Sequence, residues 1–195
     1  MILKKASYKA IRYACMKFHY AKSVPVNVFG YSVFNNKNEW CGVITYGGGA
    51  GPLGKPYGLT NGQYLELTRM ALNGKQESTS KAMSISIKLI RKNVPLAQVL
   101  ISYADKAQGH LGIIYQATNW KFVQNIKSSG VECFYKGSWV HNRTVSGTPF
   151  LQKLRGKLKT RKKSGKFKYL YPLNIKMIKW CEEISLDYPK NAIEV

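Results

Sequence analysis

At 195 residues, 45% of them hydrophobic, the chain is long enough for one domain with a substantial core. It carries 31 Lys and Arg against 9 Asp and Glu, a net charge of +22. That excess points to a nucleic acid as partner and exceeds what a nucleotide cofactor alone requires. No apolar run reaches the roughly 18 residues that a membrane span needs, and no long helix pairs a basic face with a lipid-type apolar one. Met1 to Lys5 lacks the apolar stretch of a signal peptide, so the expected compartment is the cytoplasm. Cys15, Cys41, Cys133 and Cys181 are too far apart for a CxxC metal pair and read as buried free thiols.

In chain order, residues 4–18 predict an amphipathic helix. Ile11, Ala14, Cys15 and Phe18 share one face, and Lys4, Lys5, Lys9, Arg12 and Lys17 occupy the rest. His19 and Tyr20 follow it; on the segment alone they read as a cap and a core aromatic. Asn27 to Phe34 and Glu39 to Tyr46 predict a hairpin around Asn35–Asn38. The glycine-rich stretch 47–54 is not a phosphate-binding P-loop and reads equally as a linker or a loop over a site.

Tyr64 to Leu72 predicts a central strand interrupted by Glu66 and Arg69. Their opposite parity assigns them to opposite faces, and the cost of burying charge implies that at least one meets a polar site. Lys81 to Lys92 predicts a helix that Ser78, Thr79 or Ser80 can cap. Gln98 to Tyr103 reads as a buried strand ending at Ala104–Asp105, and Gly109–Gly112 opens a helical stretch. Asp105 therefore falls at the carboxyl end of a strand, where open α/β sheets bind ligands. Trp120 to Ile126 predicts a further strand, and Val131 to Val140 with about Arg143 to Val145 a second hairpin.

Residues 150–179 carry eleven Lys and Arg and no acid. Arg155, Lys157, Lys159, Arg161, Lys162, Lys163, Lys166 and Lys168, interleaved with Phe167, Tyr169 and Tyr171, read as a phosphate-binding run with aromatic side chains available for base stacking. The element order predicts a mixed, mostly antiparallel α/β sheet flanked by helices. It divides into a core over residues 1–149 and a basic nucleic-acid-binding extension over 150–195 packed on that core.

The order strand, polar turn, helix, strand, helix, strand, ending in YQATNWKF, resembles the core of the GNAT superfamily of acyltransferases. In that superfamily an Arg/Gln-x-x-Gly-x-Gly/Ala loop holds the acyl-CoA pyrophosphate; here the equivalent turn is NGKQESTSK, with one glycine. A closer resemblance, over about residues 10–145, is to the Mom family of phage DNA-modification proteins. It rests on His19–Tyr20 near a Ser and a Pro, Glu66-Leu67-x-Arg69, Ser80 and Ser102-Tyr103-Ala104-Asp105. It continues through Gly109-His110-x-Gly112-x-Ile114-Tyr115-x-Ala117 to Trp120.

That resemblance implies conversion of the adenine N6 amine of double-stranded DNA to a carbamoylmethyl (acetamido) amine. It implies Asp105, Tyr20, Tyr115, Arg69 and Ser80 as catalytic residues. His19, Glu66, Ser102, Gly109, His110 and Asn119 are expected at the donor and substrate sites. The donor it implies is glycyl-tRNA or acetyl-CoA, so tRNA is a possible second partner. The competing readings are a conventional acetyl-CoA-dependent N-acetyltransferase acting on another amine or RNA, and a non-catalytic nucleic-acid-binding protein on the same scaffold.

Overall fold

A computed structural model describes residues 1–49, 51–127 and 130–190; the side chains of Ser138 and Arg143 are outside what it describes. The strands are β1 (Ile2–Lys5), β2 (Val28–Phe34), β3 (Trp40–Gly47), β4 (Tyr64–Leu72), β5 (Val99–Asp105), β6 (Lys121–Ile126), β7 (Val131–Tyr135), β8 (Ser138–His141), β9 (Thr160–Lys162) and β10 (Lys166–Pro172). The helices are α1 (Tyr8–Phe18), α2 (Thr79–Asn93), α3 (Ile113–Gln116), α4 (Asn142–Ser146), α5 (Pro149–Lys153) and α6 (Ile175–Glu183).

Among the described residues seven strands form one sheet in the order β1-β2-β3-β4-β5-β10-β6, and β8-β7-β9 form a small second sheet. Every described pair in the large sheet is antiparallel except β4 with β5. This is the mixed, mostly antiparallel sheet that the sequence predicts.

The first helix starts later than expected. Ser7 caps α1, its hydroxyl accepting the Ala10 N–H at 3.2 Å. Lys4 and Lys5, predicted in the helix, instead pair with Ser32 and Tyr31 as an edge strand. Lysines on an edge strand are a common guard against strand-to-strand aggregation. Ile11, Ala14 and Cys15 of α1 pack with Val43 of β3 and Ala71 of β4 on one face. The opposite face packs on α2, whose Ala82, Met83, Ile87 and Ile90 meet Leu65, Leu67, Leu100, Trp120 and Tyr169. Burying side chains of this size contributes roughly 1.5–3 kcal/mol each, so this layer dominates the stability.

The basic segment divides between two places. Residues 166–172 are a strand inside the main sheet, between β5 and β6, and α6 covers it. Phe167, Tyr169 and Tyr171 pack in the α2-side core, Phe167 and Tyr169 at 4% and 0% exposure, so neither of those two is available to stack on bases. Lys166 and Lys168 alternate with them and point to the other face, as strand periodicity requires. The second hairpin is also displaced: it is β7–β8, turning at Lys136–Gly137, both with positive φ, and Asn142–Ser146 is helix rather than strand.

Candidate active site

The feature that makes room for a site is the way β4 and β5 part. Their parallel ladder runs only from Tyr64–Val99 to Glu66–Ile101. Beyond it the Ser102 hydroxyl donates to the Leu67 carbonyl at 3.1 Å, satisfying an acceptor that the missing ladder would otherwise have used. On its other side β4 is irregular against β3, because Thr45 pairs with Arg69 and Tyr46 with Leu67. Thr68 is thus an extra residue, a β-bulge, and bulges re-aim side chains next to sites. The predicted opposite facing of Glu66 and Arg69 fails for this reason. With Thr68 inserted, both line one cavity.

That cavity, about 450 Å³, lies in the split between the two strands. Its charged and polar lining comes from His19 and Tyr20 after α1, Glu66 and Arg69 on β4, His110 and Tyr115 around α3, and Lys166 on β10. Leu111, Ile113 and Ile114 supply apolar wall. Gly109 and Gly112 line it with backbone, and Gly112 can do so because nothing larger fits: a Cβ there would stand 2.5 Å from the Tyr169 ring, at φ 79°. Gly49 bears on the site in the same way, since a Cβ would fall 2.6 Å from Glu66 Oε2. The glycine-rich stretch therefore touches the site at Gly49.

His19 stacks on Tyr20 with ring centroids 4.4 Å apart, and the Tyr20 ring meets His110 edge-on at 5.9 Å. The Tyr20 hydroxyl donates to Asp105 Oδ2 at 3.4 Å. Asp105 Oδ1 accepts the Ala107 N–H at 2.9 Å and the Ser164 hydroxyl at 3.4 Å. Burial, then the Asp105 charge, pushes the Tyr20 phenol up to about 12. The Tyr115 hydroxyl, also in the lining, pairs with Ser102 Oγ at 2.8 Å. Burial pushes this phenol to about 12 as well, so both tyrosines enter any reaction as proton-bearing groups.

Burial also raises the Glu66 carboxyl, partly offset by Lys166 and Arg69. It lowers His19 to about 4, with Arg69, His110 and Lys22 acting in the same direction, and the Ala21 N–H donates to His19 Nδ1 at 3.1 Å. His19 is therefore neutral at pH 7, with Nδ1 as the acceptor. Arg69 donates to the Thr68 carbonyl at 2.7 Å and to Ser23 Oγ at 3.4 Å, but its buried Nε has no partner among the described residues. An orphaned guanidinium N–H costs about 1–3 kcal/mol, which a ligand oxygen would recover.

The expected residues separate clearly. Tyr20, Arg69, Tyr115, His19, Glu66, Gly109 and His110 line the cavity, while Asp105 and Ser102 hold Tyr20 and Tyr115 from behind. Ser80 is not in the lining; it sits in the first turn of α2, 3.0 Å from the capping Ser78 hydroxyl. Asn119 is an exposed turn residue with φ 63° and is also absent from it. Of the basic run, Lys166 belongs to the cavity. Arg161 is engaged by Glu132 at 2.8 Å and stacked on Trp139, and Lys168 is 6% exposed over the rings of Tyr57 and Tyr103. Neither of these two is a free phosphate ligand. Tyr103 also lines the cavity, and its place between Ser102 and Asp105 on β5 is the signal for it in the sequence.

A pyrophosphate cradle at the start of α2 is poorly matched by the residues there. Ser78 takes the Lys81 N–H, and Gln76 is tied to Thr79. The Glu77 carboxylate, held by the Asn36 N–H at 2.5 Å, puts negative charge beside the amides that a phosphate would use.

A sheet that opens between two parallel strands over a tyrosine-lined cavity is the acyltransferase fold of the GNAT type. An aminoglycoside 6'-N-acetyltransferase from Enterococcus faecium superimposes with a TM-score of 0.52 at 8% identity, over 89% of this chain and 98% of that one. An aminoglycoside 6'-N-acetyltransferase complexed with coenzyme A gives 0.53 at 7% identity, with the same coverage of 89% and 98%. Within that fold the chain belongs to the Mom protein family, whose model matches residues 1–190. The methylcarbamoylase mom of Escherichia phage Mu is 36% identical over 90 residues, a match spanning 44% of this chain and 36% of that protein.

Proposed function

We propose that the chain is a DNA-modifying transferase that converts the N6 amine of adenine in duplex DNA to its carbamoylmethyl form, protecting the DNA from restriction. The observation that carries this reading is the cavity between β4 and β5. It brings two protonated phenols, Tyr20 and Tyr115, into one lining with Arg69 and Lys166. Adenine N6 is a weak nucleophile, so the enzyme has to align it, accept its proton and stabilise charge developing on the donor carbonyl. Attack on a glycyl ester there releases the tRNA 3′ hydroxyl and gives an N6-glycyl amide. Isomerisation of that amide, with the two nitrogens exchanging carbons, gives the carbamoylmethyl amine. Arg69, with an unspent N–H, suits the carbonyl oxygen. Tyr115 donates a proton to the leaving group, and Ser102 fixes its hydroxyl. Asp105 orients Tyr20 and receives proton density through it. The base enters by leaving the duplex stack.

The donor we favour is glycyl-tRNA ahead of acetyl-CoA. A glycyl group supplies both carbons and the nitrogen of the acetamido unit, and the start of α2 offers a pyrophosphate little. Isotope tracing distinguishes them: label from glycine in the product supports glycyl-tRNA, and label from acetate alone reverses the ranking.

The direct test is nucleoside mass spectrometry of plasmid DNA from bacteria expressing the chain, beside an Asp105→Ala control. A deoxyadenosine heavier by a carbamoylmethyl group, with fragmentation that places the CH2 on N6 rather than a glycyl amide, and absent from the control, is the expected result. An acetyl increment would instead support a conventional acetyltransferase. Unmodified DNA would remove the reading.

A further inference from the structure

A second hollow, about 780 Å³, lies between the end of the main sheet and the small sheet. It adjoins the catalytic cavity directly, because Lys166 lines both. Its polar lining includes Lys127, Lys163, His141, Asn142 and Ser146, with Gly130, Gly147 and Gly165 also in the lining, and no Asp or Glu lines it among the described residues. The wall between the two spaces is Asp105, whose Oδ2 meets Tyr20 on one side and whose Oδ1 meets Ser164, a residue of the second hollow, on the other. Burial and the Lys163 charge lower Lys166, the Asp105 and Glu66 carboxylates pull it the other way, and Arg69 lowers it again. Arg69, Lys166 and Lys163 thus form a line of cations running from one space into the next that Asp105 and Glu66 neutralise only in part. Such a line is relieved by an anion lying along it.

We propose that this second hollow seats the phosphodiester backbone of the DNA strand that delivers its base to the catalytic cavity. The proposal rests on the adenine-modification reading for the identity of that base. Ammonium groups, an imidazole, hydroxyls and glycine backbone with no carboxylate in the lining are the chemistry that a phosphodiester meets on proteins. A nucleotide whose base enters beside Tyr20 has its phosphate a few bonds away, across the wall formed by Asp105. The groove, rather than the exposed turn at Arg155–Lys157, then carries the contacts that fix the strand.

The test is fluorescence anisotropy with a labelled DNA duplex and, separately, a labelled tRNA, at several salt concentrations. It compares the full chain, a Lys127→Ala/Lys163→Ala variant and an Arg155→Ala/Lys157→Ala variant, with circular dichroism to verify folding. The groove variant is expected to lose about tenfold or more in duplex affinity and to flatten the slope of log K against log salt by about two counterions. The turn variant is expected to change both much less. Equal losses in the two variants, an unchanged groove variant, a loss confined to tRNA, or no duplex binding by the full chain would each overturn the proposal. Binding is read without turnover, so a chain that makes no modified adenine can still pass. A groove variant that modifies DNA with an unaltered KM refutes the groove and leaves the catalytic reading standing.

Discussion

At the scale of single residues the site is organised by pairs. Ser102 holds Tyr115 and Asp105 holds Tyr20, so these two cavity-lining phenols each have a partner outside the lining. Tyr115→Phe keeps the ring contacts with Trp120 and Tyr169 at 5.2 and 5.0 Å and removes only the hydroxyl. It is expected to leave the melting temperature within a few degrees of wild type and to cut the rate of DNA modification by about a hundredfold or more. A comparable rate would show that no proton passes through this phenol. His19 makes a pH prediction. Its folded value is lowered from 6.5 to about 4, so between those limits the unfolded chain binds the extra proton and the folded chain does not. Stability should therefore fall as pH drops from 6.5 towards 4, and His19→Gln should flatten that part of the curve. Denaturant titrations of both proteins across this range check it.

At the scale of elements, Gly112 is the tightest joint between α3 and β10. Alanine there meets the Tyr169 ring and must hold φ 79°. Gly112→Ala is expected to destabilise the fold by about 2 kcal/mol or more, measured by urea denaturation. The β2–β3 hairpin, β4, α2 and β5 could be read from the sequence because apolar periodicity and turn residues agree over each of them. Three strands escaped for a shared reason; one of them, Thr160–Lys162, lies wholly inside the basic run. The lysines of β1 continue the basic pattern of α1, and the lysines of β10 make its clean alternation resemble a solvated charge run. Sequence reasoning treats lysine as exposed, yet Lys168 is buried against two rings. The site residues were legible as residue types in local motifs. Their shared cavity was not, because the inserted Thr68 that turns Glu66 and Arg69 the same way has no marker in the chain. Ser80 and Asn119 were placed by motif alone, and nothing local reveals that α2 and the turn after α3 keep them out of the lining.

At the scale of the whole molecule, the net charge of +22 and the two hollows that share Lys166 are the features on which the proposed path for a polyanion rests. The order in which its sheet can be completed follows from the position of β10. β5 and β6 are separated by the width of a strand that the ribosome delivers some forty residues after β6, and among the described residues β6 pairs with no other strand of the main sheet. Until Lys166–Pro172 arrives, the aromatic layer of Phe122, Phe167 and Tyr169 cannot close. A chain ending at residue 149 is therefore expected to be aggregation-prone rather than a smaller folded core, as solubility and near-ultraviolet circular dichroism would show. Because this pairing joins distant parts of the chain, refolding of the full protein should be slow and concerted, with the catalytic split among the last features to acquire its final walls.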